Sequence, residues 1–143
     1  MTDAEESAIR DRCRQVLADY AIAVDEANAE GMIALFTEDG VLVRASDELR
    51  GPAALPRLFE GRAPGTVMRH LVTTQSIEVA ADGRSARAHS YYVLYVAAGE
   101  KVPLPMPEPF SLGDWHSDLV LTASGWKLAR QEVRRKFVRA APR

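Results

Sequence analysis

Two side chains in this sequence have the types and settings to move a proton between them. His70 stands inside the apolar run Met68 to Val72, and Asp25 borders the apolar stripe of a helical pattern, four residues after Ala21 and eight after Leu17. A neutral imidazole is the right strength to take a proton near neutral pH. A carboxylate that accepts its other ring N–H would fix the tautomer and stabilise the imidazolium that forms. Each residue also has a plainer reading. A lone carboxylate against an apolar stripe is costly, but Glu26 and Asn28 follow closely, so Asp25 can equally be a helix-end residue facing solvent. A single strand histidine is more often structural than catalytic.

The other two histidines lie in stretches of period two. Alternation puts His89, Tyr91, Val93 and Tyr95 on one strand face, and His116, Asp118 and Val120 on one face of another. A face that mixes His, Tyr and Asp with valines is either wet or lines a site. On the second reading Tyr91, Tyr95, His116 and Asp118 are candidate substrate contacts. The three histidines fall on three strands with no H-x-x-x-H spacing, which is weak ground for a metal, and none is expected. The chain holds no G-x-S-x-G, P-loop or G-x-G-x-x-G motif, and no cofactor is expected either.

The elements that must position these groups can be read from periodicity. Ile9, Cys13, Val16, Leu17, Tyr20 and Val24 recur at spacings of three and four within a helix-forming stretch from Asp3 to Ala29, which predicts an amphipathic helix starting at Thr2 or Asp3. Met32, Ile33, Leu35 and Phe36 predict a short second helix, with Thr37-Glu38-Asp39-Gly40 as a stop and turn. Val41 to Ala45 reads as a short strand. Gly51-Pro52 opens a third helix whose inner side is Leu55, Leu58 and Phe59, with Pro56 limiting its regularity. Four long strands follow, at about Met68 to Val79, Ser85 to Ala97, Phe110 to Thr122 and Trp126 to Phe137. Turns at Ala81 to Arg84 and Ala123 to Gly125 point to an antiparallel meander. The proline-rich segment Val102 to Pro109 reads as a stiff crossover loop. Helices followed by consecutive strands imply an α+β fold with helices on one sheet face, leaving an apolar pocket between them.

Composition sets the outer bounds. A chain of 143 residues, 47% hydrophobic and 27% charged, suits one domain with a real core. A net charge of -2 gives no broad basic footprint for nucleic acid. The basic run Arg134-Arg135-Lys136, with Arg139 and Arg143, reads as a solvated strand end and tail. Cys13, the single cysteine, falls on the buried helix stripe. The acidic N-terminus lacks the layout of a signal peptide, and no apolar run is long enough to cross a bilayer, so a cytoplasmic location is expected.

Taken in order, Tyr20-Ala-Ile-Ala-Val-Asp25, Met32 to Val41, Gly51-Pro52, Arg69-His70, Trp115-His116 and Gly125-Trp126-Lys127-Leu128 resemble the SnoaL-like family of the nuclear transport factor 2-like superfamily, over roughly Ile9 to Phe137. That family includes polyketide cyclases, scytalone dehydratase, bile-acid dehydratase and hexachlorocyclohexane dehydrochlorinase. The resemblance implies a single domain over 1–143: a cone-like α+β barrel, its curved antiparallel sheet wrapped on three N-terminal helices. It implies a catalytic dyad at Asp25 and His70, and a functional tyrosine at Tyr20. A second pocket residue falls on Tyr95, and further pocket positions fall near His116 and Asp118. A site arginine falls at Arg130 or Gln131, while Arg44 replaces a family tyrosine. The activity implied is that of a cofactor-independent lyase, dehydratase-like, acting on a hydrophobic cyclic small molecule. A polyketide cyclase, a ketosteroid-type isomerase, and a non-catalytic ligand-binding or dioxygenase small-subunit-like protein are the alternatives. A homo-oligomer, trimer or dimer, is implied as well.

Overall fold

The computed structural model describes residues 1–140; Arg143, named above with the basic tail, lies outside the described residues. Helix α1 spans Asp3–Asp25. It starts where the capping chemistry dictates: the Thr2 hydroxyl accepts the Glu5 N–H at 3.1 Å, and the Glu5 carboxylate accepts the Thr2 N–H at 2.7 Å. The predicted stripe of Cys13, Val16, Leu17, Tyr20 and Val24 is its buried face. The Cys13 thiol is pushed up to about 11 by that burial. The helix ends at Asp25 rather than Ala29, because Ala27 turns into a positive φ of 53°. Asn28 then caps α2, Ala29–Ile33, by accepting the Gly31 N–H.

The strands are β1 Phe36–Val43, β2 Glu48–Arg50, β3 Thr66–Val79, β4 Ser85–Ala98, β5 Ser111–Thr122 and β6 Gly125–Val138. The predicted turn at Thr37 to Gly40 lies inside β1 instead. There the pairing with β6 slips, Phe36 facing Leu128 and Val41 facing Arg130, so the turn-forming residues make an irregularity within a strand. The third helix is only a 3₁₀ turn, Leu55–Phe59, with Pro56 in its first turn. The edge strand β2, three residues long, is too short to carry a periodic signal in the sequence.

One sheet runs in the order β2-β1-β6-β5-β4-β3. Strands β3 to β6 form the expected antiparallel meander. The sheet as a whole is mixed rather than antiparallel, since β1 pairs with β6 in parallel. After β2 the chain crosses to the far edge, and four alternating strands bring β6 back beside β1 in the same direction. The curved sheet wraps α1, which packs on its inner face around a core including Leu17, Tyr20, Leu42, Tyr92, Trp115 and Leu128. Along β4 the inner face is Ala86, Ala88, Ser90, Tyr92 and Leu94; along β5 it is Ser111, Gly113, Trp115, Ser117 and Leu119. No helix among the described residues is long and apolar enough to cross a membrane.

Candidate functional site

The last residue of α1 reaches β3. Asp25 Oδ1 lies 2.6 Å from His70 Nδ1, and Asp25 Oδ2 accepts the His70 backbone N–H at 3.0 Å. Both carboxylate oxygens are thus spent on one residue, so the imidazole is held at its ring and at its backbone. The side chains are 6% and 11% exposed, and each answers the other's burial. An ionised carboxylate only accepts, so Nδ1 donates to it, and in the neutral imidazole the lone pair then falls on Nε2.

Arg62 completes the helix end. Its Nη1 donates to the Val24 carbonyl at 2.9 Å and the Asp25 carbonyl at 3.4 Å. Carbonyls at a helix C-terminus lack intrahelical partners and carry the negative end of the helix dipole, so a guanidinium there satisfies both needs. No basic residue of α1 itself lies in that last turn.

His70 lines a cavity of about 560 Å³ between α1 and the inner sheet face. Its walls are aromatic. The His70 ring lies 5.5 Å from that of Trp115 and 5.9 Å from that of Tyr92, and Tyr20 meets Trp115 edge-on at 5.3 Å. Burial raises the Tyr20 phenol above its ordinary value, with Arg44 opposing more weakly, so the hydroxyl stays a donor. An imidazole lone pair, a phenol and an apolar wall around one small-molecule-sized space form an arrangement suited to proton abstraction.

The SnoaL-like domain model matches residues 5–132. The chain belongs to the SnoaL-like domain family. No curated protein sequence matches it as a relative. Among solved structures, it is similar to a scytalone dehydratase-like protein from Novosphingobium aromaticivorans, at 19% identity and TM-score 0.81 over 98% of this chain and 95% of that one. ActVI-ORFA from Streptomyces coelicolor matches at 21% identity and TM-score 0.77, over 90% of this chain and 98% of that one. Rv3472 from Mycobacterium tuberculosis, a protein of unknown function, matches at 24% identity and TM-score 0.78, over 96% of this chain and 78% of that one. These likenesses show the SnoaL-like fold that the sequence resemblance implied.

Within this SnoaL-like domain the structure pairs Asp25 with His70, lines one cavity with His70 and Tyr20, and leaves the other predicted site residues elsewhere. Tyr91, Tyr95, His116 and Asp118 do not line the cavity. They stand on the outer sheet face, because the inner positions of β4 and β5 are their neighbours Ser90, Tyr92, Leu94, Trp115 and Ser117. Arg130 also points outward, donating to Glu132 at 3.2 Å, because β6 carries an extra residue opposite the Asp118–Leu119 step. Gln131 is the inward residue, fully buried with its Oε1 accepting from the Ser117 hydroxyl.

On that outer face His89 Nε2 lies 2.8 Å from Asp114 Oδ2, and the His89 and His116 rings stack at 4.4 Å and 16°. Ligand atoms of His89, Asp114 and His116 lie within 4.8 Å of one another. Nearly parallel rings aim their lone pairs side by side, so both would have to rotate to converge on one ion. The site residues that periodicity missed are Trp115, Tyr92, Arg62 and Arg135. The first two alternate correctly as inner residues, but they share their strands with aromatic and histidine residues on the other face.

Proposed function

We propose that this protein is a cofactor-independent enzyme in which His70 removes a proton from a hydrophobic cyclic small molecule. The reading rests on one observation above all: a buried carboxylate that clamps a cavity-lining imidazole through both oxygens. His70 Nε2 takes the proton from carbon, and Asp25 stabilises the imidazolium, leaving the electron pair on a carbanion or enolate. Where a hydroxyl or halide occupies the neighbouring carbon, that pair expels it, as a lyase or dehydratase requires. In this reading Tyr20, a cavity-lining phenol that burial keeps protonated, donates to the departing or enolate oxygen. Product mass tells the fates apart: dehydration removes one water, whereas isomerisation leaves the mass unchanged.

Proton abstraction can be tested before the substrate is known. In deuterium oxide, 2-tetralone, a bicyclic ketone with acidic C–H bonds, should exchange α-hydrogens faster with the wild-type protein, and His70→Gln should return the rate to background. Equal exchange by wild type and the variant would remove His70 as the base. The proposal includes a homo-oligomer joined through the outer sheet face, where Leu71, Tyr91, Leu112 and Phe137 stay exposed. Light scattering at the 15.7 kDa of one chain would overturn that part.

A further inference from the structure

The basic run at the end of β6 does not behave as one solvated patch. Arg134 points to the outer face, its Nε 3.0 Å from Glu132 Oε1, while Arg135 falls on the inner face and lines the cavity. The register of β6 after its extra residue opposite the Asp118–Leu119 step sets that direction, and the local geometry leaves room for it. Arg135 faces Gly113 on β5, where a side chain cannot be fitted: a Cβ would run into the Arg134 carbonyl oxygen and lie 3.0 Å from the Arg135 Cα. The register slips at the next step, Leu112 facing Phe137, so Lys136 is the extra residue of a bulge. Bulges of this kind re-aim side chains at the rims of curved sheets. The Arg135 guanidinium comes to rest 5.9 Å from the Phe110 ring centroid, at the cavity wall.

Three guanidiniums line the cavity, and their donors are not equally committed. Arg44 gives two bonds to the Asp47 carboxylate, both at 2.8 Å. Arg62 is fixed on the α1 carbonyls and the Met68 sulfur. Arg135 has no carboxylate or carbonyl acceptor among the described residues. Glu60, the acidic residue on the cavity wall, lies 3.8 Å from Arg57, and Asp25, behind the wall, is held by His70. The exposed rim of this aromatic-lined space therefore carries one cation whose planar fork of donors is still available.

We infer that Arg135 anchors an anionic group, a carboxylate or one of like charge and shape, on an otherwise apolar substrate of aromatic size. The inference rests on the cavity being the substrate site, as proposed above, and it narrows the substrate class. A guanidinium pairs with such a group through two parallel N–H bonds, which fixes orientation as well as charge. The anchor at one end of the cavity would leave the apolar body against Trp115 and Tyr92 beside His70.

Calorimetric titration of the full chain with two probes of nearly equal shape tests this: 2-naphthoate, and its neutral isostere 2-acetonaphthone. The wild type should bind the carboxylate about tenfold or more tightly than the ketone, with the preference shrinking as salt is raised. Arg135→Gln should abolish the preference and leave ketone binding unchanged, and Arg135→Lys should restore part of it. Arg139→Gln, at an exposed arginine tied to the carbonyls of Glu108 and Pro109, should leave the preference intact. Equal affinity for the two probes in the wild type, or an undiminished preference in Arg135→Gln, would overturn the anchor alone. Failure of both probes to bind would overturn the cavity reading beneath it and the anchor with it.

Discussion

Asp25 meets two needs with one carboxylate, and the two can be separated by substitution. Asp25→Ala leaves the His70 backbone N–H and ring without their acceptor, which should cost about 1–3 kcal/mol of stability in urea unfolding. Asp25→Asn keeps the shape and one acceptor oxygen but removes the charge that stabilises the imidazolium. It should cost much less stability, yet lower α-hydrogen exchange by on the order of 10²–10⁴-fold. Matching losses of stability and rate in the two variants would reduce Asp25 to a structural cap. Tyr20 poses a related question. It is buried at the edge of both Trp115 and Phe36, so Tyr20→Phe preserves the packing and removes only the hydroxyl. If the phenol meets developing negative charge, turnover should fall by roughly 10²–10³-fold with the unfolding midpoint almost unchanged. A rate that holds would make Tyr20 a packing residue. At this scale the sequence was informative for Asp25, His70 and Tyr20, since each is a polar group on an otherwise apolar stripe.

Elements decide what residues alone could not. Alternation in β4 separated His89, Tyr91, Val93 and Tyr95 correctly from their neighbours, but it carried no sign saying which set faces inward. Size misled it. The inner set includes the small buried residues Ala86, Ala88 and Ser90, while bulkier side chains stand outside. Three irregularities then change the phase within strands, at Thr74 with φ 48°, opposite the Asp118–Leu119 step and opposite the Leu112–Gly113 step. Each flips every later side chain to the other face. Arg130 and Arg135 both follow the extra residue of β6 opposite the Asp118–Leu119 step, and that irregularity set their faces. Gly113 is the checkable hinge of the last irregularity. Gly113→Ala puts a methyl group against the β6 backbone, and should destabilise the fold by about 1–3 kcal/mol, read by urea unfolding. It should also weaken the preference for 2-naphthoate by displacing the Arg135 backbone. An unperturbed midpoint would mean that β6 gives way easily and that Gly113 does not hold the Arg135 backbone in place.

The whole molecule divides its polar chemistry between two faces of one sheet. Inside, the dyad is screened from water by α1 and the aromatic wall. Outside, His89, Asp114 and His116 meet Arg134 and Glu132 across three neighbouring strands. His116 is held below the ordinary histidine value, chiefly by burial, then by Arg134 and His89, with Asp114 and Glu132 pulling the other way. The sign of the consequence follows from which state takes the proton first. Unfolded chains bind it at the ordinary value and the folded chain only at a lower pH, so protonation favours unfolding. The contribution of His116 is therefore complete above the ordinary histidine pKa and is lost as pH falls through the folded one. Urea midpoints measured from about pH 7 down to about pH 5 should decline in the wild type and decline less in His116→Gln, which has no charge to acquire. A titration of the His116 ring followed by nuclear magnetic resonance should give a midpoint below that of a free histidine. A midpoint above it would mean that Asp114 and Glu132 outweigh burial, and the same measurements would then show His116 stabilising the fold in acid rather than loosening it.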